Sequence, residues 1–132
     1  MAELAASRSE RAFPEVPLLN GFCSLIRLEA FIEAGGFNMA AFPMGYGEEN
    51  DLCLRMAERG WKLVVADQVY VHHAKSASFG AERRTQLSAE GMAALKHLHP
   101  GVDFAALGER MRETIPLIRM RNAVREALKG GD

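Results

Sequence analysis

Apolar and polar residues are patterned unevenly along the chain. Residues 1–15 show no apolar period and are closed off by Pro14 and Pro17, which predicts a flexible polar arm. "LLNGFCSLI", Leu18 to Ile26, is an almost continuous apolar run and predicts a strand buried on both faces, with Gly21 marking a bulge or a close approach. "RLEAFIEAG" predicts a short helix stopped by Gly35-Gly36. From Glu49 to Arg59, Leu52, Cys53, Met56 and Ala57 fall at helical spacing ahead of Gly60. "WKLVVADQVYVHH" reads as two strands, Trp61 to Ala66 and Val69 to His73, with a turn at Asp67-Gln68. A helix through Leu87, Gly91, Ala94, Leu95 and Leu98 ends at Pro100, and a last one runs from Phe104 to Lys129, bent or interrupted at Pro116.

The element order predicts an α/β fold, with α+β as the variant: a small sheet of three to four strands flanked by helices. Three regions follow, a flexible arm (1–15), a core (16–100) and a C-terminal helical extension (101–132). With so few strands, the chain reads as half of a larger domain.

Composition narrows the class without naming a function. At 132 residues, 48% hydrophobic and 25% charged, the chain has the make-up of one globular domain. A net charge of −1 gives no global reason to expect nucleic acid. No apolar run reaches the roughly 18–20 residues of a membrane span, and the N-terminus carries no signal-peptide pattern. Cys23 and Cys53 sit among apolar neighbours and are expected to be buried free thiols in a reducing cytoplasm. The basic helix at 104–129 has an apolar stripe, which leaves contact with a parent domain, a partner or a membrane surface open.

Candidate chemistry concentrates in "FPMGYGEENDLCLR". Acids in a helix's first turn interact favourably with the macrodipole by about 0.3–1 kcal/mol each, so Glu48, Glu49 and Asp51 are first read as capping residues. The apolar, glycine-rich loop ahead of them suits a segment that covers a substrate, and a carboxylate facing a cleft can act as a general base. In a strand only one of His72 and His73 can face a given site. Either alone is more often structural than a metal ligand, and His97 and His99, at a helix C-terminus, read as structural. Arg83 and Arg84 read as a solvated face. There is no HExxH, CxxC, P-loop, GxGxxG or GxSxG, and no Asp-x-Asp pair.

Taken in order, "LNGFCSLIRLEAFIEAGGFN", "GYGEENDLCLR", "AERGWKLVVADQVYVHH" and the "SASFG" that follows resemble the C-terminal half of family 2 glycosyltransferases, from about Leu19 to Gly80. The resemblance implies a GT-A fold, a nucleotide-sugar donor, an acceptor hydroxyl, a divalent metal (Mg or Mn) and inversion at the anomeric carbon. It gives Glu49 the role of base, where the family more often has Asp, with Asp51 as second candidate. It implies acceptor-site roles for Gly21, Tyr46, Gly47 and Glu48, and a metal-ligand role for His73. The family's nucleotide-binding half lies outside these residues, so the chain alone is expected to be inactive, to hold no metal tightly and to self-associate into a homo-oligomer. A cytoplasmic location follows, with peripheral contact at the inner face of a membrane left open. Two rivals stand beside this reading: a non-catalytic interaction module using the aromatic loop, and a metal-dependent hydrolase built on the acid cluster with His72 and His73.

Overall fold

A computed structural model of the protein describes residues 1–73 and 80–130. Among the described residues six helices follow one another: α1 (Ala2–Arg8), α2 (Leu28–Glu33), α3 (Glu48–Glu58), α4 (Ala81–Leu98), α5 (Phe104–Arg112) and α6 (Ile115–Lys129), with a 3-10 turn at Gly21–Cys23. The expected sheet is not found among the described residues. Among the described residues β pairing is confined to one antiparallel bridge between Glu15 and Val64, flanked by Val16 N–H donating to Leu63 O (2.9 Å) and Val65 N–H donating to Pro14 O (3.0 Å). The α/β (or α+β) expectation is therefore corrected to a helical architecture threaded by extended segments.

The reason is physical. A β-strand needs a neighbour for each backbone N–H and C=O, and period-2 or apolar patterning says only that a segment suits such a place. Between Leu18 and Ile26 the Asn20 side chain accepts from Phe22 N–H (3.1 Å) and turns the run into a 3-10 turn before any ladder can form. Cys23 is exposed in consequence, contrary to its expected burial, whereas Cys53 is buried. The turn at Asp67-Gln68 forms, with Val69 N–H on Ala66 O (3.0 Å), but the segments it joins do not pair with each other. The "SASFG" stretch of the resemblance lies outside the described residues except for Gly80.

Helix α3 is the centre of the main core. Its inward stripe, Leu52, Cys53 and Met56, packs with Ala30 and Ala34 of the α2 region and with Val16, Leu18 and Leu63 of the extended segments. Leu107 and Met111 of α5 and Leu117 of α6 lean on the same cluster. Leu52 is 1% exposed, and truncating a fully buried leucine costs about 2–5 kcal/mol. Helix α2 stops where expected, because Gly35 and Gly36 take positive φ (81° and 68°) and Gly36 N–H returns to Phe31 O. The C-terminal run divides at Glu113-Thr114: Asp103 caps α5 through Ala105 and Ala106 N–H (both 3.0 Å), and Pro116 falls in the first turn of α6, where its missing N–H costs nothing.

The first fifteen residues are tied to the body. Helix α1 lies against α6 with Ala5 fully buried. Asp67, 4% exposed, accepts from Ser9 Oγ (2.7 Å), Phe13 N–H (3.0 Å) and Ala12 N–H (3.3 Å), and left-handed backbone at Arg11 and Phe13 aims those amides at it. Desolvation pushes the Asp67 pKa up, but the converging donors outweigh it and hold the carboxyl below its ordinary 3.8.

A second junction, between α3 and α4, depends on glycine. Tyr46 has φ 65°, which brings its carbonyl onto α4 so closely that a Cβ at Gly91 would lie 1.7 Å from the oxygen. At Gly47 (φ 148°) a Cβ would meet the buried Phe42 ring at 2.8 Å.

Two outcomes follow from these contacts. Gly91→Ala, which gains about 1 kcal/mol in a free helix, is expected to lose ~1–3 kcal/mol or more here, seen as a lower urea midpoint; an unchanged midpoint would contradict the close approach. For Asp67 the folded pKa lies below the unfolded one, so its stabilisation is present above the unfolded value and fades as pH falls through the folded one. Asp67→Asn should lower Tm at pH 7 and flatten the fall in Tm below pH 4; a variant with the parent's acid profile would assign that slope to other groups.

Candidate active site

The three acids at the start of α3 have three different surroundings. Glu48 reaches back, its Oε2 accepting from Gly47 N–H (3.0 Å), and so satisfies one of the donors that every helix start leaves free. Asp51 is 2% exposed and fully engaged. Its Oδ2 accepts from Arg55 Nη2 (2.6 Å) and Nε (3.0 Å), and its Oδ1 faces His99 Nε2 at 2.9 Å. Arg55 carries the network on to the carbonyls of Ala34 and Gly36 (2.7 Å to the latter). Asp51 thereby joins α3 to the end of α4 and to the glycine turn behind α2.

Glu49 is the acid without such an occupation. It is half-buried, and its Oε2 is shielded from solvent with no hydrogen-bond partner. Burial pushes its pKa above the ordinary 4.5; backbone N–H groups at the helix start pull it down, and the neighbouring Glu48 carboxyl adds to the rise. It borders a cavity of about 210 Å³ whose wall also includes Gly21, Ser24, Phe37, Leu52 and Cys53. Gly21 lies against it: a Cβ there would sit 3.4 Å from Glu49 Cβ and 3.8 Å from Cδ. Gly21 thus packs on the side of Glu49 at ordinary van der Waals distance and lines the same cavity. The lining is largely apolar with Glu49 as its one carboxylate, the make-up of a ligand-binding pocket.

The structure thus brings Gly21 to Glu49, and Tyr46, Gly47 and Glu48 to the adjoining helix start. It turns Asp51 the other way, toward His99. His73 is exposed and stacks on Phe22, with ring centroids 4.4 Å apart and planes at 22°. It therefore stands beside the Gly21–Cys23 turn, and neither His73 nor Phe22 lines the cavity. Among the described residues no group of three or more His, Cys, Asp or Glu side chains could hold a metal ion, so these residues do not fit an Mg²⁺ or Mn²⁺ site by themselves.

Sequence reasoning missed three contributors. His99 has the helix-end position expected of a structural residue, but its partner Asp51 is 48 positions away and carries no local signal. Phe37 lines the cavity from the glycine-rich loop. Cys53 is the third: its Sγ accepts from Leu19 N–H (3.4 Å), and burial, with the nearby Glu49 charge, raises its pKa.

Comparison with known proteins finds one partial likeness, matched in two strains. Over 87 residues, 64% of this chain, the sequence is 37% identical to a bacterial glycosyltransferase. That relative is the N-acetylglucosaminyl-diphospho-decaprenol L-rhamnosyltransferase of Mycobacterium tuberculosis, matched equally in the CDC 1551 and H37Rv strains. The match covers 28% of the relative's length. No protein-family model and no solved structure matches the chain.

The two acids separate in a stability experiment. A carboxyl whose pKa rises on folding contributes stability below its unfolded value and loses it as pH climbs through the folded value. Glu49→Gln should therefore raise Tm at pH 7–8 and change it little near pH 3.5. Asp51→Asn, which strands Arg55 and His99, should cost about 3–5 kcal/mol at neutral pH. Equal losses from both substitutions would place Glu49 in the same structural role as Asp51.

Proposed function

We propose that the chain is the acceptor-side portion of an inverting glycosyltransferase and that Glu49 is its general base. The observation that carries the reading is the buried, unpartnered Glu49 Oε2 beside a cavity that Gly21 also lines. An unsatisfied carboxylate costs stability, and a site that uses it is one reason to retain it. The likeness to a rhamnosyltransferase supports sugar transfer, and that relative's name supports an acceptor sugar carried on a polyprenyl diphosphate.

Two bonds form and two break. The acceptor O–H proton passes to Glu49 as the oxygen forms a new bond to C1 of the donor sugar. The C1–O bond to the nucleotide diphosphate breaks on the opposite face, which inverts the configuration. A raised pKa favours the proton-accepting role, because catalytic efficiency improves as the base's pKa approaches the working pH. Asp51 holds the helix that presents Glu49, since both of its oxygens are taken. Tyr46 and Gly47 shape the adjoining loop. No step is assigned to a metal, for which the described residues do not form a site.

The rival reading, a non-catalytic interaction module using the aromatic loop, draws on the exposed Phe37, Met39 and Met44 of that loop. It leaves the orphaned carboxylate unexplained.

The test uses the chain joined to, or co-expressed with, a nucleotide-sugar-binding half. Glu49→Gln is expected to lower kcat by about 10²–10⁴-fold with donor KM unchanged. The chain alone is expected to transfer no sugar. Full activity in Glu49→Gln, or turnover by the chain alone, would contradict the proposal.

A further inference from the structure

The C-terminal helix pair holds charge that the transfer reaction does not use. Six arginines and lysines stand against three glutamates between Phe104 and Gly130, in a chain whose net charge is −1. Packing decides which face carries them. The inner side of α6 is taken up by α1 and, through Leu117, by the main core. Arg121, Arg125 and Lys129 are left exposed on the outer side, with Arg112 at the end of α5.

These cations are little neutralised. Arg121 donates to the carbonyls of Leu117 (3.1 Å) and Arg112 (3.4 Å), and Arg125 to the Asn122 side chain (3.2 Å). Among the described residues none of Arg112, Arg121 and Arg125 makes an ion pair with a carboxylate. Lys129 and Arg119 make only long surface pairs, each at 3.7 Å, with Glu126 and Glu10. Two apolar side chains bracket the basic face, Ile115 (60% exposed) at the start of α6 and Leu128 (58%) near its end. On α6 the cations Arg121, Arg125 and Lys129 follow one another at about one turn each and span about 12 Å, so they form a row rather than meeting at one point. No helix among the described residues is long and apolar enough to cross a membrane.

We propose that the outer face of α5 and α6 is a docking surface for an anionic lipid bilayer. Basic residues near such a surface each contribute about 1 kcal/mol, and a lipid interface accepts Ile115 and Leu128, which a nucleic-acid backbone would leave in water. The contact is peripheral, since the inner apolar stripe of α6 is already used. The inference deepens the function proposed above by giving an enzyme with a lipid-borne acceptor a way to sit at the surface that carries it. It rests on that reading only for its purpose, because vesicle binding is measured without any transfer reaction.

The experiment is co-sedimentation of the intact chain with vesicles of phosphatidylcholine alone and of phosphatidylcholine with 30% phosphatidylglycerol, in low and high salt. Binding is expected only to the anionic vesicles, weakening as salt rises. The triple variant Arg112→Gln/Arg121→Gln/Arg125→Gln should lower partitioning by roughly 100-fold, from about fivefold per cation, with an unchanged circular dichroism spectrum. Ile115→Ser/Leu128→Ser should weaken binding while leaving its salt dependence in place. No binding to anionic vesicles, equal binding to neutral ones, an unaffected triple variant, or displacement by a stoichiometric RNA duplex would each overturn the proposal. Loss of vesicle binding with Glu49 still essential for transfer would sink the docking surface alone.

Discussion

The buried carboxylate of Asp51 is the contact on which the arrangement of this molecule depends. Arg55 grips one oxygen and His99 meets the other, while Arg55 continues to the carbonyls of Ala34 and Gly36. Four parts of the chain are fixed by that set: the start of α3, the glycine turn after α2, the body of α3 and the residue after α4. A buried ion pair is weak evidence for net stability, because desolvation offsets much of the attraction. Its contribution here is to position. With the first turn of α3 held from below, Glu48 can close the helix start and Glu49 can be left facing a cavity.

That division of labour explains why three acids stand together. Capping accounts for Glu48, whereas Asp51 is taken up by buried pairing with Arg55 and His99 rather than by a cap. For Glu49 the same surroundings work the other way: it is half-buried, lacks a partner on Oε2, and its pKa is raised first by that burial and then by the adjoining Glu48 carboxyl, through hydrogen bonding and like charge. Stability alone would favour a neutral side chain at that position. Functional sites are where such costs are retained.

Local signals in the sequence were legible and distant ones were not. The limits of α3, the stop at Gly35-Gly36, the turn at Asp67-Gln68 and the break near Pro116 each rest on a few consecutive residues, and each appears in the structure. The sheet did not appear, because patterning marks a segment as fit for pairing without supplying its partner. "LLNGFCSLI" instead turns on the Asn20 side chain, and the Trp61–Ala66 segment finds only the stretch around Glu15. At the site, Gly21 was legible as a place of close approach, and its neighbour proves to be Glu49. The pairing of Asp51 with His99 was not legible, since nothing near either residue encodes a contact 48 positions away. The close approach of Tyr46 to Gly91 was hidden for the same reason: a helix glycine reads as a packing position, while the carbonyl it admits lies on another element.

The central claim is that Glu49 is held as a partly desolvated, proton-accepting carboxyl while its neighbours are structurally employed. The most direct measurement is a side-chain carboxyl NMR titration of the intact chain, with the Glu49 resonance assigned through Glu49→Gln. The account predicts a Glu49 midpoint above the ordinary 4.5, falling toward it when Glu48→Gln removes the adjacent charge. A midpoint at or below 4.5, unmoved by that substitution, would mean that Glu49 is an ordinary solvated helix-start acid and would contradict the proposed base.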